Sequence, residues 1–270
     1  MRWRCLLWKL QRRRDSQIRA EAVLQTLRSV RGIARSLYIY YGNRPRAAAM
    51  DRLYARFVRP GDLVFDIGAH VGDRVASFRR LGAQVVAAEP QPAAAKVLKL
   101  LYGRNRDVAI EAVAVGRAAG TIGLMINLDN PTVSTASNEM ISAARDAPGW
   151  KTQRWRHAIR VPITTLDSLI ARHGVPTFIK IDVEGFEYEV LVGLSRPINA
   201  ISFEFTTIQR DVALVCVERC VALGFKRFNA ALGESQMLVH SDWVADADIA
   251  AWIAELPHSA NSGDIYAERA

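Results

Sequence analysis

Three cysteines in 270 residues are too few for a disulfide framework. Cys5 stands alone, and Cys216 and Cys220 lie four apart on a predicted helix. This odd, sparse set lacks the spacing of a zinc site and predicts reduced, core-forming thiols and a cytoplasmic setting. The chain also lacks any run of about 18 apolar residues that could span a bilayer. Its longer apolar runs, Val212–Val217 and Ile249–Ala254, fit buried faces of helices or strands. The opening MRWRCLLWKLQRRR reads as non-secretory, because its apolar stretch Cys5–Trp8 is too short for a signal peptide and runs into more basic residues. Internal repeats and low-complexity segments are absent. Acidic residues are scarce at one end only. Residues 1–60 hold 3 Asp/Glu against 15 Lys/Arg, a balance of +12, whereas the remainder holds 24 against 21. The basicity therefore belongs to an N-terminal arm, suited to nucleic acid, anionic lipid or an acidic partner, or simply solvated. Trp3, Leu6, Leu7 and Trp8 among the arginines point to peripheral contact with an anionic membrane surface.

What is present is enough apolar sequence for one substantial core. Residues 16–38 show helical spacing, with Ile18, Ala22, Val23, Leu27, Val30, Ala34 and Leu37 predicted on the packed face. Ser36–Pro60 reads as a short strand or turn and then a second helix, with Tyr38, Tyr40 and Tyr41 forming a lid or a packing edge. From Pro60 onward strands and helices alternate. Strands are predicted at Leu63–Ile67, Gln84–Ala88, Val108–Val115, Thr177–Asp182, Ala200–Phe205 and Phe225–Asn229, with a last edge strand at Gly263–Glu268. A polar insertion, Gly116–Arg160, holds one strand, Thr121–Asn127. The rhythm predicts an α/β fold with a mostly parallel, Rossmann-like sheet of about seven strands. The organisation is a basic helical arm over 1–58 and one domain over 59–270.

The sharpest local feature is VFDIGAHVGDR, Val64–Arg74. Asp66 ends the first strand, and Gly68 and Gly72 bracket the turn into the next helix, where backbone amides are free and a ligand can approach closely. The pattern departs from G-x-G-x-x-G. A pyrophosphate is disfavoured beside Asp66, whereas S-adenosylmethionine, with a sulfonium and an α-amino cation, is favoured. Glu89 ends the second strand 23 residues after Asp66, close to the offset of about 20 expected of a ribose-binding acid. Its plain alternative is a solvent-facing acid before a proline turn. Ala114 and Val115 are candidates for an adenine wall. His70, in the glycine turn, is a candidate contact to cofactor or substrate, or a base, its plain alternative being a turn residue that only hydrogen-bonds locally.

VFDIGAHVGDR, VVAAEPQP, AVAVG, NPTVSTAS, VPITTLDSLI and FIKIDVEGFEYEVLVGL occur in that order. Together they resemble the FkbM-type methyltransferase family over Arg59–Thr206. The resemblance implies a class I S-adenosylmethionine enzyme that methylates a hydroxyl of a sugar, glycolipid, polyketide or related small-molecule or glycan acceptor. By position it assigns Asp66, Gly68 and Gly72 to the methionine part, Glu89 to the ribose, and Asp182 and Glu184 to the reacting centre. A hydroxyl is a poor nucleophile until it loses its proton, so a positioned carboxylate helps by about 10²–10⁴-fold. Glu187 and Glu204 stand nearby; the four acids suit bases, oxygen ligands of a metal, or partners of Lys180, Thr207 and loop amides. No histidine or fixed acid spacing demands a metal, and none is expected. Ser134, Thr135 and Ser137 resemble a substrate-side loop. An Asn-Pro-Pro-Tyr block is missing, which counts against methylation of nucleic-acid bases. The alternatives are an RNA-directed methyltransferase using the basic arm, or a non-enzymatic nucleotide-binding protein.

Overall fold

A computed structural model describes residues 24–269. The expectations placed on Trp3, Cys5, Leu6, Leu7, Trp8 and the first turns of the 16–38 helix lie outside them. The described chain opens in helix α1 (24–41) and continues into α2 (Arg44–Tyr54). Asn43 starts α2 by accepting the Arg46 amide, and Pro45 fits the first turn, where no donor is needed. No strand interrupts α1, contrary to the sequence reading of Ser36 onward. The packed face of α1 also differs from expectation. Ile33 and Ser36 are buried, with Leu37 and Tyr40 against the same small cluster, whereas Leu27, Val30 and Ala34 face outward.

Seven strands form the main sheet: β1 (Leu63–Ile67), β2 (Gln84–Ala88), β3 (Val108–Glu111), β7 (Phe178–Ile181), β8 (Ala200–Thr206), β9 (Arg227–Leu232) and β10 (Ser262–Glu268). Their spatial order is β3-β2-β1-β7-β8-β10-β9. All neighbours run parallel except around β10, which is antiparallel to both β8 and β9. The strand read as an edge is thus an interior one. Helices α3 (Asp73–Arg80), α4 (Pro92–Tyr102), α6 (Leu166–His173), α7 (Glu187–Val192) and α8 (Arg210–Ala222) connect the strands, and α9 (Asp246–Glu255), which was not predicted, precedes β10. Cys216 and Cys220 are buried free thiols on α8, as expected. The core lies on both faces of the sheet. Phe65, Ile179, Ile201 and Phe203 pack on one side with α6 to α9; Val64, Phe78, Phe178 and Tyr266 pack on the other with Leu53, Tyr54 and Phe57.

The Val108–Val115 segment is two strands. After β3 the chain leaves the main sheet, and β4 (Ala114–Val115) pairs with β6 (His157–Thr164), which also pairs antiparallel with β5 (Gly120–Ile126). The insertion is therefore a small three-stranded sheet with a short helix α5 (Asn138–Ala144), capped by Ser137. This sheet stands over the carboxyl ends of the main strands. From β1 the chain first builds outward through β2 and β3, then returns to place β7 on the other side of β1. That reversal opens a crevice at the carboxyl ends of β1 and β7, where open α/β sheets take their ligands. No helix among the described residues is long and apolar enough to cross a membrane.

Candidate active site

The crevice is a pocket open to solvent at its mouth. Asp66, Gly68, His70, Glu89, Asp182 and Glu184, all picked out in the sequence, line it. Gly72 does not. It caps α3 with a φ of 86°, packed so that an added Cβ would fall 2.7 Å from Leu98 Cδ2. Its work is to let α3 and α4 meet behind the turn. Gly68 is tighter still: a Cβ there would lie 1.7 Å from the Asp182 carbonyl oxygen. That absence of a side chain is what brings the ends of β1 and β7 together.

On the β1–β2 side, Glu89 is buried and accepts the His70 amide on Oε2 at 2.8 Å and the Gln91 amide on Oε1 at 2.7 Å. These bonds fix the carboxylate and lower its pKa, but burial outweighs them and pushes it up to about 7. Asp66 is buried as well; its Oδ2 has no partner among the described residues, and burial raises its pKa to about 7 despite Arg74. His70 holds a positive φ of 45°, and neither ring nitrogen has a partner among the described residues. Burial pushes its pKa down to about 4, so the ring is neutral at pH 7. Val113, Ala114, Val115 and Leu124 form an apolar wall opposite.

On the β7–β8 side, Lys180 is fully buried and donates to Asp264 at 2.7 Å, to the Ile181 carbonyl at 3.1 Å and to Asp182 at 3.3 Å. Burial raises the Asp182 pKa, but Lys180 and then Arg74 overcome it and hold the carboxyl below its ordinary range. Glu184 sits in the turn at a positive φ of 58°, its carbonyl gripped by the Thr135 hydroxyl at 2.6 Å. Burial and then Asp182 raise Glu184 and Glu204 well above the usual range. Carboxylate oxygens of Asp182, Glu184 and Glu204 all lie within 4.8 Å of one another. Glu187 is not part of this group: its Oε1 accepts the Val183 and Gly185 amides at 3.0 and 3.2 Å and shapes the turn. Thr207 points elsewhere, donating to the His258 and Asn261 carbonyls. In the insertion, Ser134 accepts the Asn127 amide and lines the pocket, whereas Ser137 is a helix cap.

At the mouth the sequence offers Tyr40 as part of a lid or a packing edge but not the charged groups around it. Tyr40 of α1 lines the mouth, edge-on to His70 with Arg46 over its ring at 5.0 Å. Arg46 and Arg74 both pair with Asp73 and Glu234, at 2.7 to 3.5 Å, tying α2, the start of α3 and the loop after β9 together. The only signal in the sequence was the tyrosine run, since the other members are scattered along the chain.

Residues 66–253 match the Methyltransferase FkbM domain. The chain belongs to the FkbM methyltransferase family. The match runs beyond Thr206, where the sequence reading ended it, and takes in α8, β9 and most of α9. This FkbM protein is an S-adenosylmethionine-dependent methyltransferase. No curated protein matches it. Among solved structures it is similar to precorrin-6y C5,15-methyltransferase from Geobacter metallireducens, at 12% identity over 83% of this chain and 87% of that one, with a TM-score of 0.43. It is also similar to Aeropyrum pernix fibrillarin in complex with S-adenosyl-L-methionine, at 9% identity over 78% and 68%, with a TM-score of 0.40.

Proposed function

We propose that this FkbM protein transfers the methyl group to a hydroxyl oxygen of a small-molecule or glycan acceptor. The observation that carries the reading is the meeting of two acidic walls in one pocket: Asp66 and Glu89 on the β1–β2 side, Asp182 and Glu184 on the β7 side. The first wall suits the donor. Asp66 offers a buried, unpartnered oxygen to an α-amino cation. Each Glu89 oxygen already takes one backbone amide and keeps a second lone pair for a ribose hydroxyl. The apolar surface of Val113, Val115 and Leu124 suits an adenine ring. The neutral His70 ring, with both nitrogens free, adds one donor and one acceptor beside them.

When bound, S-adenosylmethionine supplies a sulfonium methyl group open to in-line displacement. The chain's part is to bring an acceptor oxygen into line and to take its proton. Asp182, anchored by Lys180, and Glu184, anchored through its carbonyl by Thr135, face the space where that oxygen must stand. Both are set on the sheet end and not on a long loop, which keeps their geometry firm.

Titration with S-adenosylhomocysteine, beside NAD as a control, tests the donor half; saturable binding of the first alone is expected, weakened in Glu89→Ala. Asp182→Ala is expected to bind S-adenosylhomocysteine as the wild type does while losing methyl uptake by hydroxylated metabolites. Wild-type turnover in that variant would overturn the assignment of Asp182.

A further inference from the structure

We propose that Asp182, Glu184 and Glu204 hold a divalent cation, Mg2+ or Mn2+, at the acceptor end of the pocket. The proposal shares with the reading above the placement of Asp182 and Glu184 on the acceptor side. Three carboxylates from two adjacent strands present oxygens within 4.8 Å of one another. Six ligands at about 2.1 Å around a Mg2+ put neighbouring oxygens about 3.0 Å and opposite ones about 4.2 Å apart. Three oxygens held within 4.8 Å of one another are near enough for side-chain rotation to bring them into such a shell. Hard carboxylate oxygens without nitrogen or sulfur select Mg2+ or Mn2+ over zinc or copper.

A second observation comes from the polar atoms behind the cluster. Glu204 Oε2 is shielded from solvent and has no partner among the described residues. Glu204 also borders a small cavity on the far side of the pocket, shared with Gly185, Glu187, Thr206 and Gln209. Thr206 and Gln209 are 5% and 6% exposed, yet Thr206 Oγ1 and Gln209 Oε1 are likewise buried without partners. Gln209 Oε1 sits against the Glu184–Gly185 turn, 2.4 Å from where a Cβ on Gly185 would be. Buried oxygens are left unsatisfied at a cost, and Glu204 Oε2 beside a small cavity that Thr206 and Gln209 also line leaves room for a cation's bound water.

Nearby basic groups do not balance the cluster. Lys180 touches Asp182 at 3.3 Å but is held more closely by Asp264 at 2.7 Å, so one ammonium serves two carboxylates already. Arg74 is committed to Asp73 and Glu234. Glu184 and Glu204 have no ion-pair partner among the described residues. A divalent cation supplies the missing charge where only protons otherwise could.

Mn2+ titration followed by electron paramagnetic resonance, with Mg2+ as competitor, tests this on the full chain. One saturable Mn2+ per chain, displaced by Mg2+, is expected. Glu204→Gln is expected to weaken it by roughly 10–100-fold or more, while Glu255→Gln, an exposed acid on α9, leaves it unchanged. Asp182→Asn serves as the second variant should Glu204→Gln fail to fold. Folded wild type that binds no Mn2+, or binds it equally in Glu204→Gln and Asp182→Asn, overturns the proposal. S-adenosylhomocysteine binding without Mn2+ binding overturns the cation site alone. Mn2+ binding without S-adenosylhomocysteine binding overturns the placement of the donor alone.

Discussion

Two carboxyl groups on the donor side, Asp66 and Glu89, have their pKa raised by burial to about 7 from ordinary values of 3.8 and 4.5. The folded chain therefore keeps protons that the unfolded chain has released between those limits. The ligand-free protein is expected to lose stability as pH rises through that window, because the unfolded state then binds fewer protons. A cationic ligand favours the ionised carboxylates, so its binding releases protons, and affinity rises by about tenfold per pH unit per proton released. Calorimetry of S-adenosylhomocysteine binding in buffers of different ionisation heat, from pH 6 to 8, reads both the slope and the protons; Asp66→Asn is expected to weaken binding and flatten the slope. Gly68 gives a second residue-scale outcome. Gly68→Ala sets a Cβ against the Asp182 carbonyl at a φ of 86°, and a loss of about 2 kcal/mol or more is expected in thermal or urea unfolding. Gly61→Ala, at a φ of 89° with nothing within 4 Å, is expected to cost only about 1 kcal/mol. Asp66, Gly68, Glu89, Asp182 and Glu184 were legible in sequence because each sits next to a strand end with a glycine or proline turn. Glu204 gave a fainter signal, an acid within the apolar run ISFEFT. Tyr40 showed only as one of a tyrosine run, and Arg46 and Glu234 gave no signal, for their meeting depends on where distant segments cross.

Among the elements, the small β4-β6-β5 sheet bears most directly on the site. It reaches across to the β7 turn through the Thr135 hydroxyl, which is completely buried and bonded to the Glu184 carbonyl. Thr135→Val keeps the shape and removes both that bond and the one the hydroxyl accepts from the Ser137 amide. It is expected to lower stability by about 1–2 kcal/mol and to reduce turnover while leaving S-adenosylhomocysteine affinity unchanged; steady-state kinetics beside calorimetry separates the two. The strands around β1, β2 and β7 were readable from their short apolar runs and sharp boundaries. β6 was not, because His157, Arg160 and Pro162 interrupt its apolar residues and obscure the pattern. β3 and β4 merged in the sequence since one apolar stretch feeds two sheets. The position of β10 lies outside what a pattern of alternation can reveal: it says that a strand exists and not which neighbours it takes. On α1 the periodicity chose the wrong face, because apolar residues surround the helix and only tertiary contact decides which are covered.

At the scale of the whole molecule, the uncovered side of α1 joins the charge asymmetry. Leu24, Leu27 and Val30 are 59%, 60% and 61% exposed and Tyr38 is 81% exposed, with Arg28, Arg31 and Arg35 exposed among them. The first 60 residues carry a surplus of 12 positive charges. We propose that this side lies on an anionic bilayer surface. Full-length protein is expected to sediment with vesicles containing a fifth or more of phosphatidylglycerol, by rough electrostatic reckoning, to be released by high salt, and to ignore pure phosphatidylcholine. Leu27→Glu is expected to weaken the association, and a protein that stays in the supernatant with anionic vesicles overturns the proposal.

The interior place of β10 also bears on the order in which the protein is made. Translation delivers Ser262–Glu268 after the other nine strands, yet the sheet seats it between β8 and β9. Until those residues leave the ribosome, β9 has no neighbour in the sheet to pair with, and Lys180 lacks Asp264, its closer counter-ion. A chain cut short before Ser262 lacks the closer counter-ion of Lys180 just where the acceptor side is built. Such a chain is expected to be inactive and to present an open sheet edge to chaperones and proteases, which a truncation ending at Asn261 tests by activity and limited proteolysis.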